Sequence, residues 1–129
     1  MKKEYGGYLP LETKNYKQNE YYKSNNKFEL IKLNSGRASF YFAAKLSKIK
    51  VIYLPFFTCK ETEVPFKEYG VEIKKYFLDE KLLPLNINLK RDEFILWTNY
   101  YGNASDNDIK YIKNKYKNLI VDNCHAFFS

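Results

Sequence analysis

The stretch Asn118-Leu119-Ile120-Val121-Asp122-Asn123-Cys124-His125-Ala126-Phe127-Phe128 carries the pattern that decides the fold. Leu119, Ile120 and Val121 form an unbroken apolar run with β-branched members, which predicts a strand buried on both faces of a sheet. An acid and the chain's only histidine follow at once. In open α/β sheets ligands collect outside the carboxyl ends of the strands, so Asp122 and His125 stand where a bound cofactor or substrate would be met.

Upstream of that strand, Asp106 to Tyr116 carries Ile109 and Ile112 among lysines, the pattern of a surface helix, and Tyr100-Tyr101-Gly102-Asn103 is the loop before it. Glu93-Phe94-Ile95-Leu96-Trp97-Thr98-Asn99 is the most apolar strand before the last. A polar connection containing Pro84 leads back to a weakly alternating strand, Val71 to Leu78. Before it, Thr58 is expected to cap a helix that stops near Gly70, with Pro65 marking either a break or a restart. Val51-Ile52-Tyr53-Leu54 reads as a short buried strand ended by Pro55, and Arg37 to Leu46 as a helix with Ser35 for its N-cap. Phe28 to Leu33 has the composition of a further strand.

Strands alternating with helices predict an α/β fold, a mainly parallel sheet with helices on both faces, over residues 28–129. Residues 1–27, polar and Tyr-rich with Gly6-Gly7 and Leu9-Pro10-Leu11, read as an arm. Four loops are then expected at strand carboxyl ends: Asn34 to Ala38, Pro55 to Cys59, Asn99 to Asn103 and Asp122 to Ala126.

Composition agrees with one folded domain. The 129 residues are 45% hydrophobic and 19% aromatic, enough to build a core and too apolar for a disordered chain. Lys+Arg 22 against Asp+Glu 15 leaves a net charge of +7, but the lysines are scattered from Lys2 to Lys117, which argues for a solvated surface and against nucleic acid. Cys59 and Cys124 have no metal-ligand spacing, so no metal site is expected. The stretch after Met1-Lys2-Lys3 lacks the apolar run of a signal peptide, and no stretch has the length of an apolar membrane span, so cytoplasm is the default expectation.

Each candidate residue has an ordinary reading beside a functional one. Asn34-Ser35-Gly36-Arg37-Ala38 is an anion cradle, through free amides and the helix dipole, or only a turn and cap. The glycine fingerprint of dinucleotide sites and the Walker lysine loop are both absent. Asp122 reads equally as a cap for the following turn and His125 as a hydrogen-bonded structural histidine. Cys59 reads as a small buried apolar residue, and Tyr100 and Tyr101 as packing residues.

Taken in order, Gly6-Gly7-Tyr8, Asn34-Ser35-Gly36-Arg37-Ala38, Leu54-Pro55-Phe56-Phe57-Thr58-Cys59, Asn99-Tyr100-Tyr101-Gly102 and Asp122-Asn123-Cys124-His125-Ala126-Phe127 resemble the DegT/StrS family. Its members are pyridoxal-phosphate-dependent nucleotide-sugar aminotransferases, similar in fold to aspartate aminotransferase. The resemblance covers only the first part of their large domain. It implies that Asp122 pairs with the pyridine nitrogen of the cofactor and that His125 contacts the ring's phenolic oxygen. It places Gly36, Arg37 and Ala38 on the phosphate loop, with Arg37 where the family more often has Thr or Ser. Cys59 falls where many members carry an aromatic that stacks on the ring, a task a thiol performs poorly and Phe57 or Tyr100 would have to take over.

Transamination also needs a lysine that carries the cofactor, which the family places beyond the last strand seen here, so no catalytic residue is assigned. A fragment of a longer protein, a site completed by a second chain and a free-standing remnant all remain open, and the end at Ser129 favours a fragment or truncated frame. The complete enzyme is expected to be a homodimer that moves an amino group from an amino-acid donor to a nucleotide-linked keto sugar for cell-surface polysaccharide, with the isolated chain inactive. The alternative is a non-catalytic α/β module that binds a carbohydrate, a nucleic acid or a protein.

Overall fold

The structure is a computed structural model that describes residues 29–126. The chain divides into two compact units, Met1–Lys32 and Leu33–Ser129. Of the first, residues 29–32 are described and hold no helix or strand. The expected arm over residues 1–27, with Gly6-Gly7-Tyr8, lies outside the described residues, as do Phe28 and Phe127.

The second unit opens with helix α1, Gly36–Leu46, whose first-turn amides would be left unsatisfied without a cap. The Ser35 hydroxyl accepts from the Ala38 amide at 3.2 Å, and Lys45 faces the negative end of the helix dipole in the last turn. Strand β1, Val51–Pro55, follows. Helix α2, Lys60–Glu68, has Glu61 and Glu63 in its first turn and Lys67 in its last, charges of the sign each end favours. Gly70, at φ 79, reverses the chain after it, with the Val71 amide donating to the Phe66 carbonyl at 2.9 Å. Strand β2 is Glu72–Tyr76 and strand β3 Phe94–Thr98. A short 3-10 turn, Tyr100–Gly102, then leads to helix α3, Asp106–Lys115, which begins on a capping box between Ser105 and Asp108. Strand β4, Leu119–Asp122, closes the unit.

The strands form one sheet in the order β2-β1-β3-β4, and every pairing is parallel. Alternation along each strand splits the apolar residues between two faces. One face packs Ile52, Leu54 and Leu96 against Ala44 of α1 and Phe66 of α2. The other packs Ile95 and Trp97 against Ile112 of α3 and against Leu83 and Ile87 from the long β2–β3 connection. That connection is pinned by an antiparallel bridge between Leu78 and Pro84, and by the Trp97 indole N–H, which donates to the Leu82 carbonyl at 3.0 Å. The expected α/β class, with helices on both faces, is what the sheet shows.

Several local expectations are corrected. Residues 29–33 take no strand, and Ile31 and Leu33 stay exposed; a strand-like composition makes a strand only where a ladder accepts it. The Asn34 to Ala38 loop therefore enters α1 without a strand before it. The N-cap of α2 is Cys59, not Thr58: the Cys59 carbonyl accepts the first helical bond, from the Thr62 amide at 3.1 Å, while Thr58 still belongs to the turn after Pro55, its amide donating to the Phe56 carbonyl at 3.0 Å. Pro65 neither breaks nor restarts the helix; it is buried inside a continuous α2, and its packing offsets the missing N–H. β4 is an edge strand with half-buried residues, whereas the buried central place belongs to β3. An apolar run reports two covered faces, and both are covered here, but it carries no information about the edge.

Leu54→Ala empties a fully buried position and should cost about 2–5 kcal/mol of unfolding free energy. Leu46→Ala, on an exposed turn of α1, should change it by less than about 0.5 kcal/mol. Urea unfolding followed by Trp97 fluorescence measures both, and equal losses would contradict the packing described.

Candidate functional site

Because all strands run the same way, β1, β3 and β4 deliver their carboxyl ends to one edge of the sheet. Asp122, the last residue of β4, pairs with Thr98, the last of β3. The ladder runs one step further, as the Asn99 amide donates to the Asp122 carbonyl at 2.9 Å. Beyond Asp122 the chain turns tightly. The Cys124 amide donates to Asp122 Oδ1 and the Ala126 amide to the Asn123 carbonyl, each at 2.9 Å. Asp122 thus does cap the following turn, as its ordinary reading expected, and that turn swings His125 back over the sheet edge.

His125 meets two tyrosines there. Its ring stacks on Tyr101, with centroids 5.6 Å apart and planes 23° from parallel, and meets Tyr100 edge-on at 6.1 Å. Tyr100 is buried; its hydroxyl donates to the Phe57 carbonyl, and its ring lies 5.3 Å from that of Phe57. Together these residues line a cleft of about 310 Å³ with Phe56, Thr58, Cys59, Thr62, Thr98, Asp122 and Cys124.

The cleft is mostly apolar around one carboxylate, and its titratable groups record that environment. Burial pushes the Tyr100 phenol up, the hydrogen bond with Thr98 partly counters it, and the charge of Asp122 adds to the rise. The Cys124 thiol is pushed up to about 11, first by burial and then by its hydrogen bond to Asp122. The Cys59 thiol lies 3.3 Å from the Thr62 hydroxyl, one turn into α2.

Of the residues singled out in the sequence, Cys59, Asp122 and His125 come together in this cleft. Arg37 and Ala38 do not line it. They line a separate cleft of about 550 Å³ between α1 and α2, with Tyr41, Phe42 and Pro65. Arg37 pairs there with Glu61 at 2.7 Å, both side chains being largely exposed. Since Glu61 belongs to the first turn of α2, the amino ends of α1 and α2 lie side by side at the edge where the strands end. Gly36 faces open space, so its loop is not shaped by close contact.

Tyr101 was underread in the sequence. It is 63% exposed and adopts φ 58, ψ 12, a left-handed conformation that a bulky side chain rarely takes. The only hint was its place before Gly102 in a turn. Thr62 and Cys124 also enter the cleft, Thr62 by lying one helical turn beyond Cys59 and Cys124 through the turn that Asp122 caps. Among the described residues no group of three or more His, Cys, Asp or Glu is placed to hold a metal ion, and no helix is long and apolar enough to cross a membrane.

No protein-family profile matches the chain, and no curated protein matches it in sequence. Its structure is similar to that of a Burkholderia pseudomallei K96243 protein provisionally described as an aminotransferase, with 14% identity and a TM-score of 0.50. The match covers 66% of this chain and 29% of that one. A second similar structure is a GDP-4-keto-6-deoxymannose-3-dehydratase with a trapped PLP-glutamate geminal diamine, at 25% identity and a TM-score of 0.46. It covers 72% of this chain and 27% of the other. This chain therefore spans less than a third of the length of either protein. The first likeness shows the fold, an α/β architecture shared with part of a protein of aminotransferase type.

Alkylation by iodoacetamide follows the thiolate, so the labelling rate of Cys124 should keep rising with pH until about 11. Asp122→Asn removes the second cause of the shift and should lower that midpoint while leaving the part due to burial. Peptide mapping of labelling rates gives both values; a wild-type midpoint near the ordinary cysteine value of about 8.5 would show that neither burial nor Asp122 acts on the thiol, and an unchanged midpoint in Asp122→Asn that the thiol does not meet Asp122.

Proposed function

We propose that the chain is the amino-terminal part of a pyridoxal-phosphate-dependent aminotransferase of the DegT/StrS type. The complete enzyme would transfer an amino group from an amino-acid donor to a nucleotide-linked keto sugar, in the cytoplasm, for cell-surface polysaccharide. The observation that carries this reading is the convergence of Asp122, His125 and Cys59 on one aromatic-walled cleft at the carboxyl ends of a parallel sheet.

The cleft suits the ring end of the cofactor. A carboxylate stands among apolar walls, where it can keep a pyridine nitrogen protonated, and flat rings from Phe57, Tyr100 and Tyr101 are available for contact. Bound there, the cofactor would supply an electron-accepting ring. Asp122 would hold the proton on its nitrogen. His125, fixed by the Tyr101 face and the Tyr100 edge, would donate to the ring's phenolic oxygen. Tyr100 and Phe57, tied by a hydrogen bond, would keep water from that side.

The phosphate end fits less well. Gly36 to Ala38 share the sheet edge with the cleft but do not line it, so a phosphate would have to reach the free amides of the first turn of α1. Among the described residues no lysine lines the cleft, in keeping with the proposal that the isolated chain is inactive. A homodimer in which the partner completes the site belongs to the same reading.

Pyridoxal phosphate added to the chain should bind loosely and be displaced by inorganic phosphate. Asp122→Ala should weaken it at least about tenfold, the loss of one charge-assisted contact. After borohydride reduction, peptide mapping should show no single lysine labelled in full. Stoichiometric labelling of one lysine would place the catalytic residue within this chain and overturn the proposed inactivity.

A further inference from the structure

At the opposite edge, where the strands begin, the fold gathers cations that are dispersed in the sequence. The turn before β3 supplies Lys90 and Arg91, and the end of α3 with the residue before Asn118 supplies Lys115 and Lys117; all four line one cleft of about 670 Å³. Its two walls are tied together by Asn118, whose side-chain amide donates to the Arg91 carbonyl at 2.8 Å and to the Glu93 carbonyl at 3.1 Å.

The acid that lines this cleft is already engaged. Glu93 is buried, accepts from Lys74 Nζ at 2.7 Å and from the Lys90 amide at 2.9 Å, and is held below the usual carboxylate range chiefly by Lys74. Asp92 is exposed nearby and does not line the cleft. Lys115 is held in place: its ammonium donates to the Tyr111 hydroxyl at 3.1 Å and lies 5.4 Å and 5.3 Å from the ring centroids of Tyr111 and Tyr116.

Lys115 and Lys117 have an ordinary explanation, since cations at a helix carboxyl end offset its dipole. That end carries only about half an elementary negative charge, however, which two lysines already exceed. Lys90 and Arg91 belong to no helix, so nothing in the backbone field accounts for them. The cleft therefore keeps a surplus of positive charge in a concave, hydrogen-bonding setting, the conditions in which a multiply charged anion replaces water best.

We propose that this cleft binds a compact polyanion of the di- or triphosphate class, either free or carried on a nucleoside. A nucleic-acid strand fits it less well. Such a strand needs a long basic groove with exposed rings for stacking, whereas Tyr116, the one ring that lines this cleft, is buried, and the exposed Tyr111 lies outside its lining. The site lies across the sheet from the cleft of Asp122 and does not depend on any cofactor there.

Calorimetric titration of the full chain with inorganic pyrophosphate, tripolyphosphate, ADP and an RNA of about 20 nucleotides, at fixed ionic strength, tests the proposal. Tripolyphosphate should bind at a single site. The pair Lys90→Gln with Arg91→Gln, and the pair Lys115→Gln with Lys117→Gln, should each weaken it about tenfold or more. The pair Lys45→Gln with Lys60→Gln removes the same charge elsewhere and should leave it within about twofold. ADP binding like pyrophosphate would identify the phosphate group alone as the ligand, and tighter binding of ADP would identify a nucleotide. Absence of binding, an equal loss in all three double variants, or RNA binding far more tightly than tripolyphosphate and failing in the same variants would overturn it. Unchanged urea unfolding of the surface variants separates loss of the site from loss of the fold.

Discussion

Hydrogen bonds between β3 and β4 continue past the last paired residues, where the Asn99 amide donates to the Asp122 carbonyl at 2.9 Å. The position of the candidate site depends on that register. Side chains alternate along a strand, so a slip of one residue would send Asp122 to the other face of the sheet. What prevents the slip is packing. Leu119 and Val121 contribute to the cluster around Ile112 and Trp97, while Ile120 contributes to the cluster around Leu96 and Phe66. Asp122, two residues after Ile120, must then share its face with Thr98, two residues after Leu96, and that is the face on which α2 brings Cys59 and Thr62. The carboxylate is placed by apolar residues that never touch it.

Much of this was legible because it rests on local rules. Ser35 before an apolar-periodic segment marks the start of α1, and the buried runs of β1 and β3 stand out from a Lys- and Asn-rich background. Residues whose meaning depends on a distant partner were not legible. Residues 29–33 resemble a strand in composition, and only the absence of a place in the ladder shows otherwise. Lys90 and Lys117 look like parts of a diffuse surface charge until the parallel sheet sets the starts of β3 and β4 side by side. Arg37 follows the loop sequence of a phosphate cradle, yet in the fold it pairs with Glu61, far along the chain.

That ion pair weighs little against the proposed cofactor. Both side chains are 63% exposed, and such a pair is worth only about 0–1 kcal/mol in water. A phosphate at the first turn of α1 would offer Arg37 a doubly charged partner together with the free backbone amides, so Glu61 would not hold the guanidinium against it. The distance between the two clefts is the heavier constraint. Both open on the same sheet edge, but they are lined by different residues, with the amino end of α2 between them. Cys59 sits at that end and contributes a small side chain to the second of them.

On the proposed reading, a thiol at Cys59 in place of a ring gives the backbone strain at Tyr101 a physical meaning. A left-handed conformation costs a non-glycine residue roughly 1–2 kcal/mol, which glycine or asparagine at this position would avoid or reduce. The contact of Tyr101 with His125 returns roughly 0.5–1.5 kcal/mol, so stability alone gives no strong reason to keep a tyrosine here. What tyrosine does that glycine cannot is present a flat face. Tyr100 is buried against Phe57, whereas Tyr101 remains 63% exposed, as open as the Phe57 ring at 59%, and reaches the cleft together with the imidazole it supports. On the proposed reading, the aromatic surface that Cys59 fails to provide is supplied from across the cleft by Tyr101 and His125. The strained turn is then the cost of aiming that surface from a loop instead of from a helix end.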